Sequence, residues 1–342
     1  MITRLTRELG MLYPVFSAGM ARVSQAPLVA AVSEAGGMGC LGGVSYMPEA
    51  LEAEIRRIRS RTSRPFAVNL LTSDTAAESD AIAAWNRLSD EQREKLKGIE
   101  PLLTPGAAAA QIEVVLSERP AVIVLTFGTP RDLVEACHAR GIKVMAMCGS
   151  LGAALEAEAA GVDCVVAQGT EGGGHTGHVG TLALVPTIAD AVRIPVVAAG
   201  GIVDGRGLAA ALCLGAEAAW CGTRFIASEE AYGHAHYKQR VLAGEARDTV
   251  LTAAYSGKSM RAFRNSWTDT QHHPAPFPAQ YAAAAERVES GYQDGDTEEG
   301  MMPVGQGVGL VHEILPAGEI VRRMTHEASE ILRRGGLRRF DG

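Results

Sequence analysis

The sequence has few of the features that mark membrane, secreted or nucleic-acid-binding proteins. No run approaches the ~18 apolar residues of a membrane-spanning helix, and the first residues lack the apolar core and cleavage site of a signal peptide. Lysine and arginine form no block with interleaved aromatic residues, and the formal net charge of −7 disfavours polyanion binding. We therefore predict a cytoplasmic protein that binds neither nucleic acid nor a membrane.

Cysteine and aromatic residues are also scarce. The six cysteines include no Cys-x-x-Cys pair, and most lie in apolar segments, where a free thiol packs like a small hydrophobic side chain. We predict that they are buried thiols. Aromatic residues make up only 5% of the chain, whereas 39 of its 342 residues are glycine, a composition that fits a soluble α/β protein with one large domain and an insertion.

Short apolar runs alternate with helical segments up to residue 225. The predicted strands are at 13–20, 38–43, 66–71, 121–127, 143–147, 164–168, 195–199 and 218–221. Eight strands in strict β-then-α alternation predict an α/β fold of the closed parallel type, a (β/α)8 TIM barrel. A doubly wound sheet is the alternative, but the Gly-x-Gly-x-x-Gly fingerprint does not follow the first strand.

The alternation stops after the eighth strand. Helical segments and a Pro/His-rich stretch at 272–278 occupy the following region, so we predict a barrel of residues 1–228 plus 305–342 and an inserted, mainly helical cap or substrate domain at 229–304. A helical pattern at 309–334 returns as the last barrel helix. The polar stretch 72–98, longer than an ordinary loop, is predicted to flank the barrel mouth as a lid.

Three of the predicted strands run directly into glycine-rich turns. Because parallel strands end on the same side of a barrel, these turns predict one shared binding mouth. Gly200-Gly201 and Gly222-Thr223 follow the seventh and eighth strands, where such barrels often bind phosphate through backbone N–H groups. The alternative is that these glycines only allow close helix–strand packing.

Polar side chains at the predicted mouth suggest catalysis. His175 lies among glycines, outside any apolar pattern, and can act near neutral pH as a base or hydrogen-bond partner. Asn69 and Gln168 end two strands with carboxamides, which can bind a heterocycle edge or cap the loop backbone. Glu171, His175 and His178 would be the ligands of a metal site, but no second ligand cluster follows, so no metal is predicted.

Motifs over nearly the whole chain resemble those of a known protein family. They are Pro14 to Met20, Ala35-Gly-Gly-Met-Gly39, Pro65-Phe-Ala-Val-Asn69, Glu171-Gly-Gly-Gly-His175, Ala198-Ala-Gly-Gly-Ile202, Asp204-Gly-Arg-Gly207, Gly215-Ala, Gly222-Thr-Arg-Phe225, Asp248-Thr249, Ser256-Gly257, Arg261, Asn265, Gly295-Asp-Thr297 and Gly305-Gln306. The sequence thereby resembles the nitronate monooxygenase family, also known as the 2-nitropropane dioxygenase-like FMN proteins.

The resemblance implies an FMN-binding barrel and assigns expected roles by position. The isoalloxazine ring would contact Ala18, Gly19 and Met20, and the polar edge of the ring or the ribityl chain would contact Asn69 and Gln168. Gly173 and Gly174 would contact the ribityl chain. The phosphate would be bound by Gly200, Gly201, Gly222 and Thr223. His175 matches the active-site histidine of the family.

The chemistry implied by the resemblance is oxidation of alkyl nitronates, such as propionate 3-nitronate, with O2 to a carbonyl compound and nitrite. NAD(P)H-dependent enoyl-thioester and quinone reductases share the scaffold, so an FMN reductase is the alternative. Two residues depart from the family pattern: Ser17 stands where many members have Gln, and Gly172 where many have Ala. The sequence leaves open whether copies of the chain form a homo-oligomer.

Overall fold

The computed structural model describes residues 1–72, 86–91, 105–277 and 279–335. Its centre is a sheet of eight parallel strands, and the end strands β1 and β2 come together through a parallel bridge between Phe16 and Met38. The strands, in sheet order, are β1 (Val15–Ser17), β9 (Ala218–Cys221), β8 (Val196–Ala199), β6 (Cys164–Gln168), β5 (Lys143–Cys148), β4 (Val122–Thr126), β3 (Ala67–Leu71) and β2 (Cys40–Gly42). The predicted TIM barrel is therefore confirmed.

Each predicted barrel strand coincides with an observed one because continuous apolar runs suit strands that are buried on both faces. Alternate side chains form two apolar layers. One layer fills the barrel and includes Phe16 and Trp220, whose ring centroids lie 5.7 Å apart. Leu5 and Leu9 belong to the same layer, so the amino-terminal helix closes one end of the barrel. The other layer packs the strands against the surrounding helices.

Helices connect the strands and surround the barrel. Their bounds are Arg4–Glu8, Ala26–Glu34, Pro48–Arg59, Pro105–Glu118, Arg131–His138, Leu151–Ala160, Thr181–Ala191, Gly205–Cys213, Thr223–Ile226 and Ala317–Arg333. Side-chain caps define three of the starts: Thr3 accepts the N–H of Thr6, Ser150 accepts that of Ala153, and Asp204 accepts those of Arg206 and Gly207.

One predicted helix has different bounds in the structure. The helix predicted from residue 309 begins only at Ala317, after Pro316. A short 3₁₀ turn at Gln306–Leu310 precedes it. Pro316 is the N-cap residue. Proline is tolerated at a helix start because an N–H at this position would have no acceptor within the helix. The lid predicted at 72–98 lies, apart from 72 and 86–91, outside the described residues.

The segment after the last barrel strand contains helices and an unpredicted hairpin. Its helices are Ala235–Ala243, Ser266–Thr270, Ala279–Ala283 and Ala285–Gln293. Strands β10 (Thr249–Thr252) and β11 (Met260–Phe263) form an antiparallel pair, and β11 also pairs with the two-residue strand β7 (Gly174–His175). The hairpin therefore holds the glycine-rich loop after β6 in a three-stranded sheet.

Two predictions from the sequence concern membrane-spanning helices and the burial of the cysteine thiols. Within the described ranges, no helix is both long and apolar enough to cross a membrane. Five cysteines are buried as predicted, but Cys213 is exposed, so the prediction of buried thiols is wrong for this residue. Cys213 is the last residue of the helix Gly205–Cys213, and the apolar sequence around it does not reveal that its side chain lies on the solvent side.

Candidate active site

A cavity of about 290 Å³ opens where the barrel strands end. All twelve predicted site residues line it: Ala18, Gly19, Met20, Asn69, Gln168, Gly173, Gly174, His175, Gly200, Gly201, Gly222 and Thr223. They converge because most of them follow or end a parallel strand, or lie in the loop after β6. Asn69 does not end its strand as predicted, since it is the middle residue of β3. Their roles towards a cofactor stay predictions.

One end of the cavity carries free backbone donors. The N–H groups of Gly201, Gly222 and Thr223 have no protein acceptor among the described residues, although all three residues line the cavity. Gly200 and Gly201 have φ of 107° and 71°, the left-handed region that favours glycine. The hydroxyl of Thr223 accepts the N–H of Gly305 at 2.9 Å. Unpaired N–H groups at strand ends are suited to an anion such as phosphate.

Glu171 fixes the loops that meet behind these glycines. Its carboxylate accepts the Thr181 N–H at 2.9 Å and the Thr181 hydroxyl at 2.8 Å, at the start of the helix Thr181–Ala191. The same hydroxyl lies 3.1 Å from the Gly200 carbonyl. Glu171 is thus committed to helix capping, and the described part of the chain contains no group of three or more His, Cys, Asp or Glu residues placed to hold a metal.

The two carboxamides have fixed orientations. Asn69 Nδ2 lies 2.9 Å from both the Val124 carbonyl and the Thr126 hydroxyl, and Gln168 Nε2 donates to the His175 carbonyl at 2.9 Å. A carbonyl can only accept, so each amide nitrogen must face its carbonyl partner. Both amide nitrogens therefore bind backbone carbonyls, which agrees with the alternative that these carboxamides cap backbone. Among the described residues Asn69 Oδ1 has no hydrogen-bond donor, so it can accept a hydrogen bond from a ligand in the cavity.

His175 is held by a residue of the segment after the last barrel strand. Its Nε2 lies 2.9 Å from the hydroxyl of Ser256, which belongs to the loop between β10 and β11. Its ring also meets the Phe127 ring edge-on, with centroids 5.5 Å apart. Burial, with a smaller contribution from the positive charge of Lys258, lowers the pKa of His175 to about 4. The imidazole is therefore neutral near pH 7.

The remaining wall is largely apolar and was not predicted. The residues that extend it include Val23, Val44, Leu71, Met147, Trp220, Ile226, Tyr237, Tyr281, Tyr292, Met260 and Met301. Several belong to the segment after the last barrel strand, whose local sequence shows helical patterning but not which residues face a distant strand end. In the sequence, Ser256 stands out only as part of a motif that resembles the family. Its contact with His175 becomes visible only when the hairpin folds onto β7.

Some of the glycines are required by packing as well. A Cβ at Gly19 would lie 2.5 Å from Asn69 Cβ, and one at Gly173 would lie 2.7 Å from the Val304 carbonyl carbon. At Gly19 and Gly173, close packing therefore requires glycine whether or not a ligand binds there. In contrast, a Cβ at Gly174 would meet no atom within 4 Å, so this glycine faces open space.

The two departures from the family pattern differ in position. Ser17 is fully buried, lies 3.4 Å from the Cys40 N–H, and is not among the residues that line the cavity. Gly172 does line the cavity, and a Cβ there would lie 3.0 Å from Gln168 Nε2. An alanine at position 172 would therefore press on the amide that braces His175.

Comparison with known proteins finds relatives over nearly the whole chain. The sequence model of the family described as nitronate monooxygenase matches residues 3–327. The chain is 37% identical to a nitronate monooxygenase of Pseudomonas aeruginosa, with 96% of this chain and 99% of that protein covered. It is 35% identical to a nitronate monooxygenase of Paraburkholderia phytofirmans, with 97% and 96% covered.

Solved structures are also similar to this chain over nearly its whole length. FabK from Thermotoga maritima superposes with a TM-score of 0.84 at 34% identity, covering 98% of this chain and all of that one. A nitroalkane oxidase from Streptomyces ansochromogenes superposes with a TM-score of 0.82 at 30% identity, covering 97% and 99%.

Proposed function

The chain belongs to the nitronate monooxygenase family, and on that premise we propose that it is an FMN-dependent enzyme that oxidises alkyl nitronates with O2. The products would be a carbonyl compound and nitrite. The observation that best supports this proposal is the neutral, Ser256-bound His175 at the wall of a cavity with unpaired N–H donors.

The residues present fit FMN. One phosphate-sized group of free donors, at Gly201, Gly222 and Thr223, suits a mononucleotide with a single phosphate. The neighbouring wall offers glycine backbone, apolar side chains and the acceptor Asn69 Oδ1, which suit a flat heterocycle with an N–H on one edge. FMN, when bound, would supply the redox chemistry and the reaction with O2.

The low pKa of His175 favours nitronates over neutral nitroalkanes as substrates. A general base works best when its pKa lies near the working pH, and a group with a pKa of about 4 is a weak base towards a carbon acid. A nitronate is already deprotonated, so it requires orientation rather than proton removal. A neutral imidazole can donate one hydrogen bond to the nitronate oxygens while Ser256 fixes the ring.

We further propose that residues 229–304 act as the substrate domain. This segment supplies Ser256, Met260, Tyr281 and Tyr292 to the cavity wall, while the barrel supplies the residues assigned to FMN. An apolar wall excludes water from the reacting groups and strengthens hydrogen bonds made there.

A reductase that uses NAD(P)H on an enoyl thioester or a quinone is the competing function. The high similarity to FabK over the full chain supports it, since one scaffold can serve different substrates. FMN would be bound in the same way in both cases, so the reductant must be identified by experiment.

The test begins with the purified protein, which we expect to be yellow and to release FMN, not FAD, on denaturation. Anaerobic stopped-flow mixing with NADH, NADPH and a nitronate then shows which compound bleaches the flavin. Bleaching by the nitronate supports the proposal. Bleaching by a nicotinamide alone would establish the reductase, and a protein that takes up no FMN would refute both.

A further inference from the structure

The ammonium group of Lys258 stands beside the cavity. Lys258 Nζ lies 4.5 Å from the centre of the Phe127 ring and 4.9 Å from that of Phe277. Among the described residues, no carboxylate forms an ion pair with it. Contact with two ring faces stabilises a cation while leaving its hydrogen-bond donors free. The positive charge is therefore available to a ligand.

Phe127 places this charge close to the reacting groups. Its backbone has φ of 73°, a conformation that is strained for a bulky residue, and the residue is 45% exposed. Phe127 lines the cavity, and its ring contacts both His175 and Lys258. The imidazole and the ammonium therefore share one phenyl ring as a neighbour.

The loop that carries Lys258 is held in place from two directions. Ser256 Oγ lies 2.9 Å from His175 Nε2 and accepts the Lys258 N–H at 3.3 Å. Gly257 has φ of 75°, and a Cβ there would lie 2.4 Å from the Phe277 nitrogen. The Pro/His-rich stretch therefore packs directly on the loop, and its Phe277 supports the ammonium. The position of Lys258 is built by three segments of the chain.

From this arrangement we propose that Lys258, supported by Phe127, is a specificity-determining residue that binds a carboxylate at the far end of the substrate. This inference rests on the proposed nitronate oxidation and names the residue that distinguishes carboxylate-bearing nitronates from those with an apolar end. The reacting group would lie against His175, and the short substrate chain would pass along the Phe127 ring.

The separation of charges supports a substrate anion rather than the cofactor phosphate. The free N–H donors assigned to phosphate lie in the turns after β8 and β9, whereas Lys258 lies in the β10–β11 loop next to His175. The chain carries a formal net charge of −7, so a cation beside the cavity creates a locally positive region that favours an anionic ligand.

The experiment uses the FMN-loaded protein and two ligands of equal shape. 3-Nitropropionate carries a carboxylate, and 3-methyl-1-nitrobutane carries an isopropyl group in its place. We expect kcat/KM for the nitronates of the two compounds to favour the carboxylate, and Lys258→Met to reduce this preference about ten- to hundredfold, the range of a charge-assisted hydrogen bond. Lys258→Arg should retain most of the preference, and added salt should weaken it.

Lys143→Met is the matched control, because it removes one positive charge at the opposite end of the barrel, where Lys143 pairs with Asp163. It should leave the preference as it is. Calorimetry measures the affinity for 3-nitropropionate in the form whose nitro-bearing carbon is still protonated. This measurement does not depend on turnover. If no nitronate is oxidised, the proposed function fails, but calorimetry still tests Lys258. Equal preference or equal binding in the protein and in Lys258→Met would overturn the inference.

Discussion

His175 Nε2 and Ser256 Oγ lie 2.9 Å apart, although 81 positions separate the two residues in the sequence. The barrel contributes the histidine through the loop after β6, and the segment after the last barrel strand contributes the serine through its hairpin. Pairing of β11 with β7 brings them together, with Met260 opposite His175. The proposed catalytic imidazole of one segment is therefore held by a hydroxyl of the other.

Substitution of Ser256 tests this orientation. Ser256→Ala should lower kcat about three- to tenfold through loss of one hydrogen bond, with little change in KM, because the serine contacts the imidazole rather than the substrate. Ser256→Thr, which keeps the hydroxyl, should recover most of the rate. Steady-state kinetics at matched FMN content is the measurement, and a full rate in the alanine variant would contradict it.

His175→Ala should leave folding and FMN binding nearly intact and lower turnover by roughly 10²- to 10⁴-fold, the range for a positioned acid–base group. If His175 acts as a base, the loss should be smaller with a nitronate than with the neutral nitroalkane. The control is His178→Ala, since His178 lies in the same loop but is exposed and does not line the cavity. Equal losses in both variants would argue against a specific role for His175.

The acid limb of the pH profile reports the protonation of His175. We expect kcat/KM for a preformed nitronate to fall with an apparent pKa well below 6.5, since the pKa of the free-enzyme imidazole is about 4. The folded state binds fewer protons here than the unfolded state, so the stability from neutral His175 is present above pH 6.5 and is lost as pH falls towards 4. His175→Gln should remove this part of the pH dependence of thermal unfolding.

Negative charge at the proposed phosphate site should prevent cofactor retention. Gly201→Asp or Gly222→Asp adds bulk and an anion where free N–H groups face the cavity. The FMN-to-protein ratio after gel filtration should fall close to zero. Gly152→Asp is the control, because this glycine lies in an outer helix and a Cβ there meets nothing within 4 Å. FMN retained in both site variants would place the phosphate elsewhere.

The conformation of the loop that carries Ser256 and Lys258 should require glycine at position 257. Gly257→Ala adds a Cβ at φ of 75° and 2.4 Å from the Phe277 nitrogen, so it should lower both stability and turnover. Gly141→Ala has a similar φ of 73° but no atom within 4 Å of the added carbon. The control should show only the backbone strain, of order 1–3 kcal/mol. Equal unfolding midpoints and equal rates in the two variants would refute the packing role of Gly257.

Local sequence determined the barrel and the position of its mouth. Apolar runs of strand length, each followed by an amphipathic helix, leave few alternatives to a closed parallel sheet, and glycine directly after a strand marks a turn at its carboxyl end. For this reason the eight strands and seven of the predicted site residues could be named from the residues alone: Asn69, Gln168, His175, Gly200, Gly201, Gly222 and Thr223. Resemblance to a family added the expected cofactor and the cavity residues Ala18, Gly19, Met20, Gly173 and Gly174.

Only the tertiary structure decided which residues complete the site. Ser256, Phe127 and Lys258 carry no periodicity that marks them. A hairpin distant in sequence pairs with β7 and places Ser256 against His175, Phe127 contacts His175 from the end of β4, and Lys258 lies over the Phe127 ring. The low pKa of His175 likewise arises from burial and from a charge brought near by folding. Periodicity reports which face of an element is buried. It does not report which distant element covers that face, because this depends on long-range packing of the whole chain.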